Sequence, residues 1–375
     1  MHIAVDARQA YRPNRRGIGR TLVHLMRAMA TARPGWTFRL FHQDRAADDP
    51  FAGLSNIIGR RIRMPGDRFD LWERVRLPLA AWTSGADALF CPANTGPRFS
   101  RVPTLLVVYD VIPLDLDPDA AFTVAWANKV KRSARAARLV YTASEYSRSR
   151  IIAALGIPAG KVVAIPLAAD PCFAHSHDPA TVDRVTAKHG LAAGRPFVFA
   201  FGAEDPRKNT RRVLEAWAML PTSVRARYDL VIVGIQEPAL SRFRALAENL
   251  IPAGGWHLHG FAADADIPVL LAAASVLCFP SLNEGFGLPI LDAFRVGTAV
   301  LTGNATSLPE LAGDAAVLVN PHDASAIATG LTALLEDAAR RADLVARGRE
   351  RERLFTWERT AERVADLLEH VANRH

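Results

Sequence analysis

The chain has 375 residues, half of them apolar and 22% charged, and carries a net charge of +8. This composition excludes a wholly disordered or collagen-like chain, and the length is two to three times a common domain of about 100–150 residues, so two cores are expected. Three scattered cysteines (Cys91, Cys172, Cys278) exclude a disulfide framework or a zinc knuckle and are expected to be buried structural thiols.

The opening MHIAVDARQA lacks a basic-then-apolar leader, and no uncharged apolar run approaches the roughly 20 residues that span a bilayer. A cytoplasmic protein is therefore expected. The charge is uneven: residues 1–190 hold 27 Lys+Arg against 16 Asp+Glu, and residues 191–375 hold 19 against 22. A half at +11 joined to a half at −3 suggests two domains with different partners. The basic half suits nucleic acid, an anionic membrane or a phosphorylated substrate, and composition does not choose among them.

Short β-branched or apolar runs predict strands at His2–Asp6, Phe38–His42, Ala88–Cys91, Thr104–Tyr109, Leu139–Thr142 and Val162–Pro166. Six more are predicted at Phe197–Phe201, Leu230–Gly234, His257–Gly260, Val276–Pro280, Ala299–Thr302 and Ala316–Asn320. Helical patterns fill most gaps, at Ile18–Thr31, Asp70–Trp82, Ala120–Arg138, Asn209–Met219, Pro238–Leu250, Leu288–Val296 and Ala324–Glu336. Strands apolar throughout and alternating with helices predict parallel sheets covered on both faces, hence two doubly wound α/β domains in tandem. The expected bounds are 1–180 and 190–355, with a linker inside Leu167–Arg195. After an Arg/Glu-rich helix around Arg340–Arg353, a last amphipathic helix runs to Asn373, with Thr356 as its N-cap.

Four segments carry chemistry. In Cys278-Phe-Pro-Ser-Leu-Asn-Glu-Gly-Phe-Gly-Leu-Pro-Ile-Leu-Asp292 a strand, a glycine-containing loop and a helix follow one another. The amides of Phe286, Gly287 and Leu288 then sit at a helix N-terminus, which favours an anion, and Gly285 and Gly287 permit close approach of a bulky ligand. Glu284 lies at the mouth and Asp292 one to two turns into the helix, on roughly one face. Two carboxylates there suit the hydroxyls of a sugar and a ribose. In Phe201-Gly202-Ala-Glu-Asp-Pro-Arg207-Lys208-Asn209, again between strand and helix, the adjacent cations can neutralise a diphosphate. The third segment, Asp6 to Arg20, carries Gly17-Ile-Gly19. Its spacing fails the dinucleotide fingerprint, so a phosphate-facing or acceptor-facing loop fits better. In the fourth, Leu105-Leu-Val-Val-Tyr109-Asp110-Val-Ile-Pro-Leu, Asp110 reads as an acid/base group or as a turn cap.

Together these residues resemble a family 4 glycosyltransferase of GT-B architecture: two Rossmann-like domains with the nucleotide-sugar in an interdomain cleft. The most specific piece is Pro280-Ser-Leu-x-Glu284-Gly-Phe-Gly-Leu-Pro289, supported by Asp205-x-Arg207-Lys208-Asn209 and the Gly17/Gly19 loop. The resemblance implies that Glu284 contacts donor sugar hydroxyls, that Asp292 binds the ribose, and that Arg207 and Lys208 hold the diphosphate. Gly17, Gly19, Gly202, Gly285, Phe286, Gly287 and Leu288 would complete the donor site, and Tyr109 and Asp110 would lie on the acceptor side. It further implies anomeric retention, no metal or other cofactor, and a final helix (356–375) that crosses back to the first, acceptor-binding domain. Two positions depart from the pattern. Asp292 is one methylene shorter than the usual Glu. Tyr109 stands where many relatives have His, and with a reference pKa of about 10 it is a poor proton acceptor, so any catalytic part at that point falls to Asp110.

Relatives with such an Asp-x-Ile-Pro-Leu turn act in bacterial O-antigen or exopolysaccharide assembly, commonly with GDP-mannose, on polyprenyl-diphosphate-linked acceptors. The resemblance thus implies a mannosyl-type transferase on the cytoplasmic face of the inner membrane. Lys129, Lys131, Arg132, Arg135 and Arg138 beside Trp126, and Arg74 and Arg76 beside Trp72 and Trp82, are the expected membrane-facing residues. A UDP-sugar donor is the alternative within the fold. Asp115-Leu-Asp117 admits a metal-dependent transferase, and the basic half admits a DNA-modifying one, although no interleaved aromatic groove supports nucleic acid. A degenerate transferase kept as a scaffold is the non-enzymatic reading.

Overall fold

In the computed structural model, which describes residues 1–373 except 14, 16, 45–47, 64–68 and 174–176, the apolar runs form two parallel sheets. Asn14 and Arg16 of the loop after the first strand, and residues 174–176 of the expected linker, lie outside the described residues. The first sheet contains β1 (His2–Asp6), β2 (Thr37–His42), β3 (Ile57–Arg61), β4 (Ala88–Cys91), β5 (Thr104–Val107), β6 (Leu139–Thr142) and β7 (Val162–Ala164), in the order β3-β2-β1-β4-β5-β6-β7. Val5 on β1 lies opposite Leu40 on β2 and Phe90 on β4, and all three are buried.

The second sheet contains β8 (Phe197–Phe201), β9 (Asp229–Val233), β10 (Trp256–Leu258), β11 (Val276–Phe279), β12 (Ala299–Gly303) and β13 (Val317–Val319), in the order β10-β9-β8-β11-β12-β13. The order reverses between β1 and β4 in the first sheet and between β8 and β11 in the second. Ligands of doubly wound sheets bind beyond the carboxyl ends of the strands at such points. Around the second sheet, Val198, Trp217, Leu230, Ile232, Val276 and Leu331 form one buried cluster.

The chain divides into two compact units, Met1–Ala168 with Phe355–His375, and Ala169–Leu354. The last helix, Trp357–Asn373, therefore belongs with the first sheet. Its buried face of Trp357, Ala361, Val364, Leu368 and Val371 repeats at helical spacing. Thr360 Oγ1 donates to the Pro166 carbonyl at 2.8 Å, and the Thr356 hydroxyl caps the helix by accepting from the Arg359 amide at 3.3 Å.

Several expectations are corrected. Strand β3 was not predicted because its residues are half or fully exposed, so an edge strand shows no apolar run. The expected linker holds a helix, Pro179–Lys188, capped by Asp178. Lys188 and the following His189 bind Asp266 at 2.6 and 3.2 Å, which ties that stretch into the second unit. The expected helix over Asp70–Trp82 is broken by a π-helical turn, Trp72–Arg76, flanked by α-helical Phe69–Leu71 and Leu77–Thr83. Trp72 is fully buried beneath the Arg8 guanidinium (5.3 Å), not membrane-facing, and Lys129 is engaged by Asp70 and Glu73 at 3.2 and 3.1 Å. Cys91 and Cys278 are buried, but Cys172 is exposed. No helix among the described residues is long and apolar enough to cross a membrane.

Candidate functional site

The carboxyl ends of β8 and β11 carry the residues that the sequence singles out in the second unit. After β8 the main chain turns through Gly202, whose amide donates to the Val233 carbonyl at 2.8 Å. A Cβ at Gly202 would lie 2.5 Å from Ile232 Cγ2 and 2.8 Å from Ile235 Cγ1, so only glycine fits without displacing the core. Asp205 then caps a 3-10 turn, Pro206–Lys208, by accepting from the Arg207 amide. The same carboxylate grips the Arg207 guanidinium, with Nε and Nη2 at 2.9 and 2.6 Å from Oδ2. Partial burial opposes ionisation of Asp205, but the hydrogen bonds and charge of Arg207 outweigh it and hold its pKa below the ordinary value. Arg207 is thus fixed by a neighbour two residues away, a partner that the sequence reading did not assign.

Lys208 points the other way. Its Nζ lies 2.7 Å from Glu284 Oε1 and 5.0 Å from the centre of the Phe279 ring. Glu284 belongs to the loop between β11 and the helix Leu288–Val296, and its side chain is 13% exposed, so the pair is largely shielded from water. Shielded charges interact more strongly than exposed ones, so each fixes the other's direction.

The sequence assigns Asn209 no role, and the structure supplies one. It sits in the left-handed region (φ 59°), which Asn tolerates, and it is 3% exposed. Its Nδ2 donates to the Pro280 carbonyl at 2.9 Å and to the Pro321 carbonyl at 2.6 Å. One amide therefore ties together the loops that follow β8, β11 and β13. The Leu282 amide donates to the Arg207 carbonyl at 2.8 Å, a second tie between the first two of these loops.

At the far end of the β11 loop, Gly287 (φ 105°) is the N-cap of the helix Leu288–Val296, with Pro289 in its first turn. A Cβ on Gly287 would meet Leu308 Cδ2 at 2.9 Å. Phe286 is buried, and the amide-bearing stretch from Gly285 to Leu288 opens the helix at the end where its dipole favours an anion. Asp292 lies in the second turn of that helix, 9% exposed, and accepts from the Asp170 amide at 3.2 Å. Glu284 and Lys208 are thus in direct contact, Arg207 is adjacent in the chain, and Asp292 is held separately by Asp170.

The remaining sequence-predicted residues belong to the first unit. Gly17 (φ 39°) caps the helix Ile18–Ala32, and at Gly19 a Cβ would stand 2.5 Å from the Gln9 carbonyl, so this glycine allows the helix to pack on the loop after β1. Beyond β5, the Tyr109 amide donates to Asn94 Oδ1 at 2.9 Å, and the Tyr109 carbonyl accepts from Thr142 Oγ1 at 3.0 Å. Burial raises the Tyr109 pKa well above its ordinary value, which removes it further from proton acceptance near neutral pH. Asp110 accepts from the Ile112 amide at 3.1 Å, a turn-capping contact. Asp115 pairs with Arg150, and Asp117 accepts from the Ala120 amide at 3.2 Å. Among the described residues no group of three or more His, Cys, Asp or Glu is arranged to hold a metal ion.

Two parallel, doubly wound units of this kind, with charged and glycine-rich loops at the strand ends, are the GT-B architecture. Residues 182–351, which lie within the second unit, match the family described as Glycosyl transferases group 1. Among curated relatives, the O-antigen chain mannosyltransferase B of Escherichia coli is 36% identical over 222 residues, 59% of this chain. The chain spans only 58% of that relative's length. Among solved structures, WaaG, a glycosyltransferase involved in lipopolysaccharide biosynthesis, has a TM-score of 0.73 at 18% identity, over 98% of this chain and 99% of its own. HepE from Anabaena, solved with UDP and glucose, has a TM-score of 0.72 at 17% identity, over 98% of this chain and 99% of its own. These two likenesses establish the fold.

Proposed function

We propose that the chain is a retaining glycosyltransferase that moves a hexose from a nucleotide-sugar onto a glycan in bacterial cell-surface synthesis. The donor of first choice is a GDP-sugar carrying mannose or a related hexose, and the acceptor is a polyprenyl-diphosphate-linked or growing polysaccharide. The observation that carries the reading is the shielded Lys208–Glu284 pair, at 2.7 Å, where the loops after β8 and β11 meet. The mannosyltransferase relative supports the choice of sugar.

In this reading the ammonium of Lys208, with three N–H donors, keeps Glu284 and donates to a phosphate oxygen as well. Arg207 adds a second cation, and the amides that open the helix Leu288–Val296 stabilise charge on the departing nucleoside diphosphate. Glu284 orients the donor sugar, Asp292 binds the ribose, and Asp110 and Tyr109 lie on the acceptor side. No metal is required, because the cations and amides supply the electrostatic work.

The first unit supplies an anionic-membrane contact. Trp82 (49% exposed) and Phe99 (75%) stand on its surface, with the Arg101 guanidinium 4.4 Å above the Trp82 ring and Arg98 5.0 Å above Phe99. They line a groove of about 640 Å³ together with Arg74 and Arg138. Exposed rings beside cations suit the interface of a bilayer with anionic headgroups, where each surface cation contributes about 1 kcal/mol.

HepE, solved with UDP and glucose, favours a UDP-sugar as the second reading. A thermal-shift titration with GDP, UDP, ADP and TDP, without metal, separates the two. A selective rise in melting temperature with GDP supports the GDP-sugar donor, and a selective UDP response moves the donor to a UDP-hexose. No response to any of them brings forward a scaffold protein without transferase activity.

A further inference from the structure

The loop after β12 holds the main chain of Glu284 through two side-chain hydroxyls. Strands β11 and β12 are parallel neighbours with Phe279 opposite Thr302, and Thr302 Oγ1 donates to the Phe279 carbonyl at 2.8 Å. Four residues further on, the chain turns at Thr306, which has φ 61°. A β-branched residue in the left-handed region is an outlier, held only where its surroundings require it. What it gains there is specific. Thr306 Oγ1 accepts from the Glu284 amide at 3.3 Å, while the fully buried Ser307 donates from Oγ to the Glu284 carbonyl at 2.8 Å. The helix Leu308–Ala312 begins immediately after, and its Leu308 closes the space beside Gly287.

We propose that Thr306 and Ser307 are positioning residues that clip the main chain of Glu284 from both sides and so set where its carboxylate meets the donor sugar. This rests on the donor-site reading of Glu284. Lys208 fixes one carboxylate oxygen of Glu284, and the clip fixes the peptide from which that side chain springs. A glycine at 306 would adopt the same turn without strain but could not hold the amide. The choice of threonine therefore favours the hydroxyl over backbone ease. This is the pattern of a site that accepts local strain for geometry.

The test measures GDP-mannose turnover, GDP affinity and melting temperature for four variants of the whole chain. Thr306→Val removes the hydroxyl at constant shape and is expected to lower kcat tenfold or more, with the GDP Kd within twofold of wild type. Thr306→Ser retains the hydroxyl and is expected to restore turnover. Thr306→Gly is expected to melt no lower than wild type and yet to turn over slowly, a combination that a merely structural role does not give. Wild-type turnover in Thr306→Val beside an inactive Glu284→Ala overturns the clip alone. Loss of melting temperature and GDP binding in step with kcat in Thr306→Val also overturns it. Wild-type turnover in Glu284→Ala overturns the donor-site reading and the clip with it.

Discussion

The ammonium of Lys208 lies 2.7 Å from a carboxylate oxygen of Glu284, although 76 positions separate the two residues in the chain. The parallel order β8-β11 brings the loops that carry them to one sheet edge, and the ties from Asn209 and from the Leu282 amide hold those loops together. Glu284→Ala and Lys208→Ala should each lower turnover by about 100-fold or more while leaving the fold intact, the scale seen when one preorganised electrostatic partner is removed. Steady-state kinetics beside circular dichroism check this. Wild-type rates in either folded variant would remove the assignment.

Asn209 should matter for stability. Asn209→Ala leaves the Pro280 and Pro321 carbonyls without this donor and places alanine at positive φ, and about 2–3 kcal/mol of destabilisation is expected. Asn209→Gly keeps the backbone conformation and loses only the hydrogen bonds, so it should lie between alanine and wild type in urea unfolding.

Much of this arrangement was legible in the sequence. The apolar run Val276–Phe279, the glycines after it and the periodic Leu288–Val296 specify strand, loop and helix locally, and these elements form with those bounds to within a residue. What the sequence could not show depends on partners far along the chain. The role of Asn209 depends on carbonyls 71 and 112 residues away. Trp72 was misplaced because a π-helical turn changes which residues of that segment face inward, and a helical pattern does not reveal it. Strand β3 was missed because an exposed edge lacks the apolar signal on which strand prediction relies.

Gly202→Ala provides a packing test of the β8 turn. With Ile232 and Ile235 at 2.5 and 2.8 Å from the added carbon, overpacking of about 1–3 kcal/mol is expected, together with loss of turnover as the Arg207–Lys208 segment shifts. A melting temperature and activity equal to wild type would show that the turn has slack.

Acid should weaken the second unit through His259. Burial lowers its pKa below the ordinary 6.5, aided by the nearby His189, His257 and Arg244 charges and only partly offset by the contact with the His189 carbonyl. The folded chain then binds fewer protons here than the unfolded chain, so this contribution to stability falls as pH drops below 6.5. His259→Gln should show a smaller loss of melting temperature between pH 7 and pH 5.5 than wild type, and equal losses would contradict the assignment.

The most direct test of the donor site is an isothermal titration of GDP into the wild-type chain and into Lys208→Ala, without metal. Saturable binding by the wild type, weakened at least tenfold in the variant, is the predicted result. Equal affinity in the two proteins, or no binding of GDP or UDP by the folded wild type, would contradict it.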